Sequence, residues 1–250
     1  MSLLRLYSIG ILAGVLFSCT TSTRSVVVEN TLPKSVQESI DSTASDLIVS
    51  DTSSNYYLFD YIQKLTPNDY YIRLDSLKND LAVNFFTMRM AYTKTPMYSP
   101  YDSQLPKRHR ALVNHFDAGE PVQAFAISDS ILADNYVEPM THYYISYMRS
   151  EVGDSVLAKK HFMIYEGLLE SIYISGHGQN PKNAHIVVST KEEYAMLRWF
   201  GLSSGNQQLL KVDDYVFDLL ESTSRETQDT FEIYFNITLP FNKLNSSFSD

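Results

Sequence analysis

The sequence has 250 residues, with 20 lysines and arginines against 29 aspartates and glutamates, and a net charge of −9. This acidic balance argues against nucleic acid as a partner and against electrostatic attachment to anionic lipid headgroups. The length is sufficient for one large or two small domains with a hydrophobic core.

The N-terminus has the pattern of a signal peptide. Arg5 supplies a positive charge, and an apolar run over 7–17 follows that is too short to span a bilayer. The run ends in Leu16-Phe17-Ser18-Cys19, which resembles the lipobox of bacterial lipoproteins, and Cys19 is the only cysteine. The resemblance implies a signal peptide over 1–18, removed before Cys19, and acylation of the Cys19 thiol, for example with palmitate. Two alternatives stay open, an ordinary cysteine beside a plain secretory cleavage site and an uncleaved anchor.

The residues after the cysteine bear on which membrane holds the protein. Thr20 stands where, in the best-studied Gram-negative sorting rule, an aspartate retains a lipoprotein at the inner membrane. The resemblance therefore implies the outer membrane, and the lack of an acidic run after Cys19 favours a periplasm-facing site. With Cys19 acylated, no cysteine remains for a disulfide, a thiolate metal site or a nucleophile.

A change in composition near residue 55 predicts the domain organisation. Residues 20–54 are rich in Ser, Thr and Asp and contain no aromatic residue. They bury too little apolar surface to offset the entropy of ordering, which predicts a disordered, lipid-anchored tether over 19–54. We expect a single α+β domain over 55–240, helical over 55–174 and β-rich over 175–240, and then a tail over 241–250.

Two short helices are expected at the start of this domain. The first covers Tyr56–Leu65 and is stopped by Thr66-Pro67. The second begins at Asp75 or Ser76, because apolar residues then recur at spacings of three and four. These residues are Leu77, Leu81, Phe85 and Met88. Three prolines between 96 and 106 predict a long irregular connection beyond it.

An internal repeat follows the connection. The pattern Gly-x-x-Val-x-Ala occurs at 119–124 and again at 153–158, an offset of 34 residues. This is the period of tetratricopeptide (TPR) repeats, in which a glycine turn joins two antiparallel helices. The pattern predicts TPR-like helical hairpins, although two units are fewer than the roughly three that a free-standing solenoid needs.

From residue 174 onward the pattern favours β-structure. A glycine- and proline-containing loop at Ser175–Pro181 precedes a short strand at His185–Ser189 and a helix at Lys191–Phe200. Alternating residues at 215–220 and 231–237 predict two strands joined as an antiparallel hairpin. The expected fold is α+β, with helical hairpins followed by a small antiparallel sheet and one short helix.

Several short segments, in order, carry a family resemblance. They are Tyr98-Ser-Pro-Tyr101, Ser175-Gly-His-Gly178, Glu193-Tyr194, Gly201-Leu202, Gln208-Leu209, Asp214 and Ile233-Tyr-Phe-Asn-Ile237. Over roughly 56–239 the chain resembles DUF4919, a family of Bacteroidota lipoproteins of unknown function. The resemblance implies a cell-envelope location and no particular activity.

One loop and two nearby side chains are the candidate ligand-binding residues. They are Ser175, Gly176, His177, Gly178, His185 and Glu193. The two glycines expose backbone amides, and the polar side chains offer donors and acceptors for a neutral ligand such as a glycan. The alternative is a conformational linker between the helical and β-rich parts, which needs glycine only for positive φ.

No motif identifies catalysis, a metal or a cofactor. Gly201–Gly205 matches the G-x-S-x-G pattern of serine hydrolases, but a helix precedes it and a strand follows, the reverse of what that motif needs. The pattern of a helix C-terminus with a glycine stop explains the same residues. The spacing of His177 and His185, with Glu192 and Glu193 nearby, belongs to no known metal motif. We expect no catalytic residues, no metal and no cofactor.

Two functions remain compatible with the sequence. The first is a non-catalytic envelope lipoprotein that binds a protein or peptide partner through its repeat helices, where Tyr143, Tyr144 and Tyr147 supply contact area. The second is an envelope glycan-binding protein or hydrolase that uses the loop over 175–185. An immunity or accessory role is not separated from the first by sequence, and the oligomeric state is left open.

Overall fold

The computed structural model describes residues 54–246. The expected signal peptide, Cys19 and nearly all of the expected tether lie outside the described residues, as do residues 247–250. None of the helices in the described part is long and apolar enough to cross a membrane.

The described residues form an α+β fold in which seven helices precede a sheet, as the sequence predicts. The helices are α1 Tyr57–Lys64, α2 Pro67–Lys78, α3 Phe85–Tyr92, α4 Leu105–Asp117, α5 Pro121–Asp134, α6 Pro139–Glu151 and α7 Ser155–Tyr173. A single turn of 3₁₀-helix follows at Pro181–Asn183. The remaining elements are β1 His185–Ile186, α8 Thr190–Trp199, β2 Leu202–Val212, β3 Tyr215–Ser224, β4 Thr230–Asn236 and α9 Thr238–Ser246.

The expected helix through Leu77, Leu81 and Phe85 is wrong. Thr66 caps α2 through a capping box with Asp69, so the helix begins at Pro67 and ends at Lys78. A turn with Asp80 at φ 58° separates it from α3, and Leu81 is 60% exposed. Of the apolar residues at spacings of three and four, Leu77 therefore belongs to the end of α2 and Phe85 and Met88 to the start of α3, and each helix has its own buried face.

The 34-residue repeat corresponds to two helical hairpins, α4–α5 and α6–α7. In the first turn, Gly119 has φ 77° and donates its N–H to Phe116, while Glu120 donates to His115. In the second, Gly153 has φ 83°, and equivalent hydrogen bonds are formed 34 residues later. Both ends are Schellman motifs, in which glycine accommodates a left-handed residue that satisfies the last carbonyls of the helix.

The sheet contains four strands in the order β1-β4-β3-β2. The pairs β2–β3 and β3–β4 are antiparallel, but β1 pairs with β4 in parallel. The sheet is therefore mixed, and the expected purely antiparallel sheet is wrong because β1 reaches β4 through a long connection that contains α8. Residues 238–246, most of which were expected to be tail, form α9, whose Pro240 is buried.

The helices and the sheet share a buried core. Phe235 and Leu220 from the sheet pack with Leu169 of α7 and Met196 of α8. Between α3 and α7, the Phe85 ring lies directly on Gly167, where a Cβ would be 2.3 Å from the Phe85 Cε2 atom. Glycine inside a helix costs about 1 kcal/mol of stability relative to alanine. The close approach of the Phe85 ring explains why position 167 nevertheless carries glycine.

Candidate functional site

The loop at 175–178 is packed tightly against β1. The Ser175 hydroxyl donates to the Ile172 carbonyl and accepts from the Ile186 N–H, and Asn55 donates to the Ser175 carbonyl. Gly178 has φ 66°, and a Cβ there would be 2.8 Å from the His185 ring. Glycine is thus required at position 178 both for its backbone conformation and for the close approach to His185.

Two of the candidate binding residues differ sharply in exposure. The His177 side chain is exposed, whereas His185 is 2% exposed and lies among Tyr173, Phe200 and Phe235, with ring centroids 5.6–6.2 Å away. Burial, together with the nearby His177, lowers the pKa of His185 to about 4, so the ring is neutral at pH 7. The structure therefore brings Ser175, both glycines and His185 together, while ligand binding by this loop stays a prediction.

Glu193, the sixth candidate residue, lies against a different partner. It is fully buried on α8, and its carboxyl group faces that of Asp218 on β3. Burial, followed by the charge of Asp218, raises the pKa of Glu193 well above its ordinary value. Burial also raises the pKa of Asp218. Two neighbouring carboxylates repel each other when both are charged, so we assign a proton to Glu193, whose pKa is raised well above its ordinary value.

A chain of polar contacts leads from this carboxyl pair to the surface. The Gln207 Nε2 atom donates to Asp218 Oδ2 at 2.7 Å, and the Tyr194 hydroxyl donates to Gln207 Oε1 at 3.4 Å. Tyr101, from the Tyr-Ser-Pro-Tyr segment, lies close enough for both carboxyl groups to raise its pKa, although burial contributes more. Sequence reasoning missed Asp218. The available signal was a lone acidic residue inside an apolar strand, Tyr215–Leu220.

Beside the carboxyl pair lies a buried ion pair. Arg89 and Glu192 are both almost fully buried, and two guanidinium nitrogens donate to the two carboxylate oxygens at 2.9 and 2.6 Å. Arg89 also donates to the Ser171 hydroxyl and the Ile186 carbonyl, and Glu192 accepts from the Val188 N–H. These bonds join α3, α7, β1 and α8, so the pair is a structural connection between the helices and the sheet.

A second buried polar pair consists of two histidines on the repeat helices. His142 Nε2 is 2.9 Å from the Tyr136 carbonyl, which only accepts, so this nitrogen carries the proton. His142 Nδ1 then accepts from His161 Nδ1 at 2.9 Å. Burial is the main cause that lowers the pKa of His142 to about 4 and that of His161 to about 3. Both rings are therefore neutral in this arrangement.

The serine of the G-x-S-x-G pattern has no nucleophile geometry. Gly201 has φ 73° and terminates α8, and Ser203 lies in β2, where its hydroxyl donates to the Thr223 carbonyl. A helix enters the pattern and a strand leaves it, as the sequence predicts. Among the described residues, no group of three or more His, Cys, Asp and Glu side chains is placed to hold a metal ion.

Six aromatic side chains lie on three neighbouring helices of the repeat. We call this set the aromatic stripe, and it consists of Phe116 of α4, Tyr143, Tyr144 and Tyr147 of α6, and Phe162 and Tyr165 of α7. The rings contact one another in two groups with centroids 5.3–6.1 Å apart: Phe116 with Tyr147, and Tyr144, Tyr143, Tyr165 and Phe162 in sequence.

Three rings of the aromatic stripe are open to solvent. Tyr147 is 53% exposed, Phe162 is 41% and Tyr143 is 38%. Tyr165 is buried against Tyr143 and Phe162, and its burial raises its pKa to about 12. The stripe is thus a layer of aromatic rings with a buried base and an exposed outer surface.

A small cavity lies where the connection after α3 meets α4 and α5. It has a volume of about 40 Å³ and is bordered by Tyr92, Pro100, Arg108 and Glu138, among others. Sites for small-molecule ligands typically enclose about 300–1,000 Å³. This cavity has room for water molecules and not for a sugar or a nucleotide.

Comparison with known proteins gave one match. A family model described as a domain of unknown function, DUF4919, matches residues 45–246. Neither the comparison with curated proteins nor the comparison with solved structures gave a match. The family resemblance drawn from the sequence is confirmed, while the Bacteroidota origin and the lipoprotein character stay predictions.

Proposed function

The chain belongs to the DUF4919 family, which assigns it no activity, and we propose that it is a non-catalytic interaction protein that binds a protein or peptide partner through the aromatic stripe. We further propose that Cys19 is acylated and holds it on the periplasmic side of the outer membrane. The observation that carries the first proposal is the exposure of Tyr143, Tyr147 and Phe162 on the neighbouring helices α6 and α7.

The chemistry of the aromatic stripe suits protein recognition. Tyrosine and phenylalanine supply large contact areas and lose few rotatable bonds on binding. Aromatic residues are also enriched among those whose removal costs 2 kcal/mol or more of binding energy. Each exposed ring packs against a less exposed one: Tyr143 and Phe162 against Tyr165, and Tyr147 against Phe116. A partner would therefore meet side chains that are already ordered, and binding would cost little conformational entropy.

The buried polar groups outside the aromatic stripe favour a structural role over a catalytic one. The Glu193–Asp218 pair is buried, and Arg89 and Glu192 satisfy each other inside the core. The cavity of about 40 Å³ is too small for a substrate of ordinary size. A binding surface on the repeat helices therefore accounts for more of the observed geometry than an enzyme site.

The anchor proposal rests on the lipobox-like sequence and on the energetics of acyl chains. Each buried methylene contributes about 0.8 kcal/mol, so two or three acyl chains on Cys19 hold a protein on a membrane stably, whereas one chain does not. The anchor would keep the aromatic stripe near the membrane and restrict its partners to envelope proteins.

Site-specific photo-crosslinking in intact cells tests the interaction proposal. A photoreactive phenylalanine analogue replaces Tyr147 or Phe162, and the matched control places it at Tyr71 of α2, which is 44% exposed but lies outside the stripe. We expect the same partner adduct from both stripe positions and none from the control. Equal adducts at all three positions, or none at any position, would contradict the proposal.

The anchor is tested separately with Cys19→Ala. We expect wild-type protein in the outer-membrane fraction with incorporated palmitate, and the variant without palmitate and released from that fraction. Unlabelled wild-type protein would refute acylation without affecting the crosslinking result.

A further inference from the structure

The two edge strands of the sheet differ in length and in the hydrogen bonding of their outer backbone groups. At one edge, β1 has only two residues, and its outer groups are occupied, since the Ile186 N–H donates to Ser175 and its carbonyl accepts from Arg89. At the other edge lies β2, which has eleven residues. No described residue outside β3 forms a backbone hydrogen bond with β2. Within residues 54–246, one edge is therefore closed and the other is open along its length.

The side chains of β2 leave this edge accessible. Residues 203–209 are exposed without interruption, and Leu209 is 60% exposed. From α8, the Tyr194 hydroxyl donates to the Gln207 side chain, which also donates to Asp218 of β3 and so lies over the same face of the sheet as α8. An open strand with exposed apolar residues is a template for pairing with another strand.

The composition of β2 does little to prevent pairing. Natural edge strands are protected by proline, by charged side chains or by bulges. Leu202–Val212 contains no proline and a single charged residue, Lys211. One irregularity between Ser204 and Gln207 interrupts the register, which leaves Gln207–Val212 as a regular six-residue segment. Six residues are a typical length for a strand.

We propose that two copies of this chain pair through β2, antiparallel and about a two-fold axis near Leu209, so that their sheets join into one. A two-fold interface is self-complementary, because each residue opposite a partner residue is matched by its symmetric counterpart. With the axis at Leu209, the two Leu209 side chains face each other, Gln208 faces Leu210, and Gln207 faces Lys211. No two like charges are placed opposite.

The charge distribution favours a second copy as the occupant of this edge. The chain has a net charge of −9, so two copies repel each other over most approaches. Leu202–Val212 has no acidic residue, and this edge therefore brings the copies together with little repulsion. The second copy also presents a strand that is already formed, whereas a disordered peptide would lose entropy on pairing.

A cysteine scan provides a direct test, because Cys19 is the only natural cysteine. In full-length Cys19→Ala protein, single cysteines replace residues 207–211 and, as a control, Val122, which is 77% exposed on α5. Opposite Cβ atoms in a strand pair lie about 4.5–5.5 Å apart. We expect mild oxidation to crosslink the Leu209→Cys chains most strongly, with yield falling at positions 207 and 211 and remaining at background for Val122→Cys.

Sedimentation of the full-length Cys19→Ala chain provides the second measurement. We expect twice the monomer mass, and the monomer mass for the additional substitution Leu209→Lys, which puts two lysines opposite each other. Circular dichroism establishes that this variant is folded. A monomeric parent chain, crosslinking no stronger at position 209 than at position 122, or a copurified peptide on β2 in place of a second copy would overturn the proposal.

Discussion

Acidification should destabilise the helical part through His142, and the size of the effect follows from the geometry. The ring is fully buried and neutral: Nε2 donates to the Tyr136 carbonyl, and Nδ1 accepts from His161, which requires Nδ1 to be unprotonated. Its pKa is about 4 in the folded state against 6.5 for a free histidine. Between these values the unfolded chain binds more protons than the folded chain. The stabilisation that the neutral His142 ring contributes is therefore complete above pH 6.5 and is lost as the pH falls toward 4. Linkage gives a loss of about 2 kcal/mol between pH 7 and pH 5 from this residue.

The comparison of wild type with His142→Gln isolates the contribution of the His142–His161 pair, because buried groups that do not contact the pair titrate equally in both proteins. Glutamine can accept from His161 and donate to the Tyr136 carbonyl but does not bind a proton. Urea unfolding at pH 7, 6 and 5, followed by the fluorescence of Trp199, the only tryptophan, measures the free energy of unfolding. We expect the variant to lose about 2 kcal/mol less than wild type over this range. His115→Gln, which alters a partly exposed imidazole paired with Glu120 at the surface, is the control. Equal losses in wild type and His142→Gln would refute the reasoning.

Three further predictions concern stability and use the same unfolding assay. Arg89→Met should cost about 3–5 kcal/mol, more than the double substitution with Glu192→Met, because the single change leaves a buried carboxylate unpaired; a double variant as unstable as the single one would contradict this. Gly178→Ala should cost at least about 1 kcal/mol more than Gly119→Ala, since both have positive φ but only position 178 lacks space for a Cβ; equal costs would disprove the steric argument. The raised pKa of Glu193 means that the folded state holds a proton that the unfolded state lacks, so stability falls as the pH rises through the folded pKa. Glu193→Gln should remove this loss, and an unchanged dependence of stability on pH would show that the carboxyl pair does not titrate as assigned.

The elements that sequence reasoning found correctly are those specified by local chemistry. Gly119 and Gly153 mark left-handed helix ends, and their spacing alone predicts the two hairpins. The terminal strands follow from their alternation. The expected helix over 77–88 was wrong because periodicity does not distinguish one helix from two that are separated by a short turn. The left-handed residue in that turn is Asp80, and aspartate is a weaker signal of a helix end than glycine or proline.

The polar contacts in the interior could not be predicted from the sequence, for a different reason. Asp218 and Glu193 meet across a strand and a helix that are 25 positions apart, and Arg89 and Glu192 meet across 103. Neither pairing leaves a local pattern. The exposure of Tyr143 and Tyr147 likewise depends on which helix faces are covered by neighbours. A single sequence therefore supplied the residue types of the aromatic stripe but not their arrangement.

The contact between Phe85 and Gly167 has a consequence for how this family can vary. The ring occupies the space that any side chain at position 167 would fill. A larger residue at 167 is compatible with the fold only when position 85 carries a smaller one. Across DUF4919 members, these two positions should therefore change together, although they are distant in the chain. A relative that combines an aromatic residue at the first position with a branched residue at the second must hold α3 farther from α7.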